Sequence, residues 1–333
     1  MAVMLEHLES TTDELGCFFS PFFVLCFFAA AGYTHRAGQP PKAFFVKKLR
    51  TLFVPWLIFS VFDIAVSQLV SFSAHESFAN ELLWNFLQIR GHGDQIWFVA
   101  ALFVAFIPFY FFIELYEKRP ASPRRTAAFL LGAFLLFLCD VEYSRFMPGD
   151  LLPWGTPALP WHIEYAFQGM FYMTLGYMFR QSWEAGFDRL NTHAGRAALF
   201  VFYAVLIYLP YFIDVPETAF RLTAVFVAPA AGIALVTAFS KVIPPNRYML
   251  YIGQNTLIYF ALHGKLFSFV EGMLTRFAPG FYGGILANAW LSNIFAVAFT
   301  VLLSFALLIP AYIINRWFAF VLGRRRKSAV RAG

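Results

Sequence analysis

Long apolar runs separated by short clusters of charge set the pattern of this chain. The runs are apolar all round, so none reads as the one-sided helix of a soluble core. A bilayer core needs about 20 apolar residues in helical form. Nine segments approach that length, at about 17–33, 51–72, 96–116, 125–140, 163–179, 197–213, 222–240, 256–274 and 287–314, the fourth being short. Pro55, Pro108, Pro210, Pro229 and Pro310 fall inside or near these segments, where membrane helices tolerate proline better than soluble ones do. The pattern predicts an all-α, polytopic transmembrane helical bundle.

Composition excludes the soluble alternative. Hydrophobic residues make up 60% of the 333 and charged residues only 13%, against roughly 25% charged in soluble domains. The net charge of +6 points to the membrane rather than to nucleic acid, because the cations sit in short connections between apolar segments. Alternate connections and the C-terminal tail hold twenty Lys and Arg, among them Lys47, Lys48, Arg50, Arg125, Arg180 and Lys241; the opposite set holds four, Arg90, Arg145, Arg221 and Arg276. That asymmetry predicts a cytoplasmic C-terminus and, with nine spans, an outer N-terminus. Residues 1–320 read as one transmembrane domain and 321–333 as a basic cytoplasmic tail, whose run Arg324 to Lys327 fits an orientation signal that contacts lipid headgroups. Trp84, Trp154 and Trp161 lie in the longer outer loops and suit the interface. Cys17, Cys26 and Cys139 lack metal-ligand spacing. Neither a cleavable signal peptide nor an internal repeat is evident.

Ionisable residues within apolar segments are functional candidates by default. Asp63 lies near the middle of the second segment, Glu164 opens the fifth just after His162, and His263, Lys265 and Glu271 lie along the eighth. Each has a structural reading beside the chemical one. His263 would serve as a buried histidine bonded to a neighbouring helix, Asp63 and Lys265 as an ion pair, and His162 and Glu164 as residents of wet headgroup space. His75 and His92 are expected in solvent on the outer side, and His35 and His193 on the cytoplasmic surface. No nucleophile elbow, phosphate-binding glycine loop or zinc-protease motif occurs.

Several stretches resemble the acyltransferase 3 family of integral membrane acyltransferases, especially its sugar O-acetylase branch. Cys26 to Tyr33 (CFFAAAGY) resembles the family's FFFxSGY. Phe44 to Trp56 (FFVKKLRTLFVPW) resembles the basic entry to its next helix. Ile96 to Leu102 (IWFVAAL) resembles LWFLxxL. Leu159 to Glu164 (LPWHIE), with Phe171 and Leu175-Gly176-Tyr177, resembles LPWxxD…F…LGY. Tyr251 to Leu257 (YIGQNTL), with Tyr259 and Leu262-His263, resembles YxGxNSLxIYxLH. In order, these pieces cover nearly the whole chain. Two departures stand out. Ala31 replaces the family's serine. The chain also shows nine spans where family members usually have ten, the missing one being the first. The resemblance places the family's essential histidine at His7 and its arginine, about ten residues earlier, before Met1. Either the start is assigned too late or that half of the site is missing.

The resemblance implies transfer of an acyl group, acetyl by family habit, from cytoplasmic acyl-CoA to a hydroxyl of an extracytoplasmic or lipid-linked carbohydrate, in a bacterial inner membrane. It implies no metal and no nucleic-acid partner; the expected partners are a carbohydrate or glycolipid acceptor and membrane lipids. His7 would be the general base, His263 its aide or a contact to the thioester carbonyl, and Glu164 a contact to acceptor or base. Lys47, Lys48 and Arg50 would bind CoA phosphates or act as topology signals. A transporter or flippase of lipid-linked sugars, or an inactive relative within a glycan-assembly complex, are the rival readings.

Overall fold

The computed structural model describes residues 2–70, 77–92 and 96–324. His75 and the tail cations Arg325, Arg326, Lys327 and Arg331 lie outside the described residues. Among those described, all regular structure is helical. Eight helices are long and apolar enough to cross a membrane: Asp13–Tyr33, Pro41–Leu69, Trp97–Glu117, Pro123–Tyr143, His193–Tyr211, Ala219–Ser240, Thr256–Phe277 and Ala289–Trp317. The remaining expected segment, 163–179, is a shorter helix, Ala166–Met178, with nearly every position buried. Protein rather than lipid surrounds it, so its length is not set by a bilayer.

Local chemistry fixes the helix ends and breaks. The fourth segment is longer than its apolar run and extends over Pro123–Phe146. Ser122 caps its start, accepting from the Arg125 amide, and the Arg125 guanidinium donates to the Leu115, Tyr116, Arg119 and Pro120 carbonyls at the preceding turn. The Leu115 and Tyr116 carbonyls lie in the last turn of the Trp97–Glu117 helix, where carbonyls have no intrahelical partner of their own. A proline ring clashes with the carbonyl four residues earlier. Pro55 and Pro229 each follow a wide π turn, Leu49–Phe53 and Thr223–Val227, which moves that carbonyl aside. At Pro21 and Pro310 the helix is interrupted instead.

The chain divides into two compact units, Met1–Phe27 with Gln181–Tyr312 and Phe28–Arg180 with Ile313–Gly333. In the first, Phe22, Tyr203, Ala228, Ala231 and Leu235 form a buried cluster, and the Tyr203 hydroxyl donates to the Phe18 carbonyl at 2.5 Å. The Lys241 ammonium binds Glu184 at 2.6 Å and Asp188 at 2.9 Å. In the second unit, residues 28–33 of the helix Phe23–Tyr33 and the helix Ala166–Met178 cross at backbone contact. A Cβ on Gly32 would fall 1.8 Å from the Met173 carbonyl oxygen, and one on Gly176 would fall 1.9 Å from that of Ala29. Only glycine permits this approach, and both glycines come from the stretches AAAGY and LGY.

Candidate active site

The first unit brings His7 and His263 together. A short helix, Ala2–Leu5, buries Val3, Met4 and Leu5. The turn after it, closed by the His7 amide on the Met4 carbonyl at 3.2 Å, leaves His7 exposed. His263 is buried on the Thr256–Phe277 helix. The two rings meet edge to face, with centroids 4.9 Å apart and planes at 88°.

Backbone carbonyls set the tautomer of both rings. His7 Nδ1 donates to the Val3 carbonyl at 2.7 Å. His263 Nδ1 lies 3.0 Å from the Tyr259 carbonyl and 2.8 Å from that of Phe260. With Nδ1–H spent in this way, each neutral ring presents a bare lone pair at Nε2. The base lone pair of His7 is therefore on an exposed side chain, and that of His263 is buried. Glu6 adjoins His7; burial pushes its carboxyl above the usual range, and the His7 charge partly opposes that rise.

Long-range bonds fix the chain that follows His7. The Ser292 hydroxyl donates to the Ser10 carbonyl at 2.6 Å. Asn293 accepts from the Thr12 amide at 3.1 Å and donates to the Thr12 hydroxyl at 2.9 Å.

The other predicted site residues belong to the second unit, and they are not equivalent. Lys47 is exposed. The Lys48 ammonium turns inward and lies 3.3 Å from the centroid of the Phe106 ring, a cation–π contact. Arg50 Nε donates to the Gly323 carbonyl at 2.6 Å. Arg50 also approaches Gly323 so closely that a Cβ there would lie 1.9 Å from the Arg50 carbonyl oxygen. Asp63 is buried in this unit, whereas Lys265 belongs to the first.

Glu164 and His162 are buried rather than set in wet headgroup space. One Glu164 oxygen accepts the Leu159 amide at 3.0 Å, and the other lies 3.7 Å from His162 Nδ1. Trp161 and His162 both adopt left-handed backbone, with φ of 60° and 53°, which costs on the order of 1–3 kcal/mol at each residue. Packing holds them there: Trp161 stacks on Phe53 at 5.7 Å and meets Trp56 at 4.7 Å. Just beyond, Asp140 caps the Ala166–Met178 helix, accepting from the Phe167 amide at 2.6 Å and the Gln168 amide at 2.8 Å.

His35, expected on the surface, is buried. Its ring lies among Phe44, Phe109 and Tyr177, and its carbonyl accepts from Arg180 at 2.7 Å. Burial, reinforced by the charges of Lys48, Arg180 and Lys47, pushes its imidazole down to about 4. The sequence misled here because His35 stands beside Arg36 in a charged connection, while its partners come from helices distant along the chain. His193 is exposed, and His92 is half-buried, stacked on Trp84 at 4.9 Å.

Comparison with curated proteins and with solved structures returns no match. The family model of the acyltransferase 3 type, described as an acyltransferase domain, matches residues 3–309. A match over nearly the whole chain, on a bundle of apolar helices, makes this protein a member of the acyltransferase 3 family, an integral membrane acyltransferase.

Proposed function

We propose that this protein transfers an acyl group, acetyl foremost, from acyl-CoA on the cytoplasmic side to a hydroxyl of an extracytoplasmic or lipid-linked carbohydrate in a bacterial inner membrane. The observation that carries the proposal is the pair His7 and His263, in which the exposed imidazole has its Nδ1–H tied to the Val3 carbonyl and its Nε2 lone pair available. A neutral imidazole with its Nε2 lone pair free can take a proton as a general base.

In this reading Nε2 of His7 takes the proton of the acceptor hydroxyl as its oxygen attacks the thioester carbonyl. The C–S bond then breaks, and the imidazolium returns the proton to the departing thiolate. The products are an O-acyl ester and free CoA thiol. His263 spends its Nδ1–H on the Tyr259 and Phe260 carbonyls, so the neutral ring has no N–H left for the developing oxyanion. We assign it to orienting His7. Glu164, committed to the Leu159 amide and facing His162, is assigned to shaping the loop on the acceptor side. Lys47 is the exposed cation of its cluster and is assigned to the donor phosphates by charge-assisted bonds. Lys48 and Arg50, engaged by Phe106 and Gly323, shape the surrounding structure.

The test uses purified protein in liposomes with acetyl-CoA and a panel of methyl pyranosides, with release of free thiol as the readout. Thiol release that depends on both reactants is expected, and His7→Ala should lower it by roughly 10²–10⁴-fold. Thiol release unaffected by His7→Ala, or none from the wild type with any acyl-CoA, would overturn the reading.

A further inference from the structure

The Thr256–Phe277 helix carries both His263 and Glu271. Eight residues are a little over two turns, so the two side chains share a face and stand about 12 Å apart along the axis. Glu271 Oε1 accepts the Glu9 amide at 3.1 Å and the Tyr282 hydroxyl at 3.1 Å. Glu9 is two residues beyond His7. Burial and the Glu271 charge hold the Tyr282 hydroxyl above its usual range, so it remains a donor. One helix thus supplies the buried imidazole and the carboxylate that grips the chain just after the exposed one. The bonds from Ser292 and Asn293 to Ser10 and Thr12 hold the next residues but reach no closer to His7.

We infer that Glu271 is a positioning residue: with Tyr282 it latches the Glu9 backbone to the Thr256–Phe277 helix and so sets His7 against His263. This rests on the reading of His7 as the base, although the latch itself can be tested without that reading. A carboxylate in this role needs an acceptor oxygen rather than its charge. Gln supplies one and Ala does not.

The experiment compares wild type, Glu271→Gln, Glu271→Ala and Tyr282→Phe, each purified in detergent and shown to be monodisperse. His7 is followed by its carbethoxylation rate with diethyl pyrocarbonate, read by peptide mass spectrometry. Turnover is followed with acetyl-CoA and the pyranoside panel. In Glu271→Ala, His7 should react at least threefold faster and kcat should fall at least tenfold, with the KM for acetyl-CoA within twofold. Glu271→Gln should stay within threefold of wild type on both readouts, and Tyr282→Phe should fall between. Should Glu271→Ala fail to fold, the contrast between Glu271→Gln and Tyr282→Phe decides. Equal His7 reactivity in all soluble variants, or a Glu271→Gln variant as impaired as Glu271→Ala, overturns the latch. If His7 reactivity shifts as expected while the wild type transfers no acyl group, the latch stands and the functional reading falls.

Discussion

A positive charge at His35 would be opposed twice, by lost hydration and by the nearby charges of Lys48, Arg180 and Lys47. In the unfolded chain the imidazole titrates near 6.5, and in the fold near 4. Between those values the unfolded chain binds the proton and the folded one does not, so stability is lost as pH falls through that window. His35→Phe, which keeps a ring among Phe44, Phe109 and Tyr177, should melt with a shallower loss of Tm between pH 6.5 and 4.5 than wild type. Parallel Tm curves would refute this account. At this scale the sequence was only partly readable. His7 and His263 were singled out through the family resemblance, but their edge-to-face contact joins residues from opposite ends of the chain. The commitment of Nδ1 to a backbone carbonyl in each ring has no sequence signature. Lys47, Lys48 and Arg50 read alike as cations, and the π turn at Leu49–Phe53 changes the spacing that would otherwise set their directions.

Among the elements, the crossing of Phe23–Tyr33 with Ala166–Met178 gives the sharpest expectation. In membranes, close packing of small residues is a principal source of helix association. A methyl group on Gly176 cannot be accommodated 1.9 Å from a carbonyl oxygen, so the helices must separate. Overpacking of this kind costs about 1–3 kcal/mol. Gly176→Ala and Gly32→Ala should each lower Tm in detergent by several degrees, as followed by tryptophan fluorescence. By contrast, Gly253→Ala, whose Cβ would meet open space, should leave Tm unchanged. A Tm loss for Gly253→Ala equal to that for Gly176→Ala would show that helical glycines matter here for another reason. The sequence marked the long apolar helices well because hydropathy directly measures what lipid selects. It marked Ala166–Met178 less well, since a helix enclosed by protein is bounded by caps such as Asp140, which lies on another helix.

For the whole molecule, charge asymmetry was the only guide to orientation, and it predicts a direct experiment. In a background with Cys17, Cys26 and Cys139 replaced by Ser, a single cysteine at Arg124 or Arg189 should resist a membrane-impermeant maleimide in intact cells. One at Phe146 or Phe277 should react. The reverse result would invert the topology and, with it, the side proposed for the acyl donor. The division into two units was not visible in the sequence, because each unit is assembled from separated stretches of chain and hydropathy is blind to such pairing.

The bonds that seat residues 9–12 come from Glu271, Ser292 and Asn293, more than 260 positions downstream. During synthesis the segment bearing His7 emerges well before its docking partners. The residue proposed as base therefore gains these bonds only after residues 271–293 are made, and a nascent chain that stalls before residue 271 carries His7 without them.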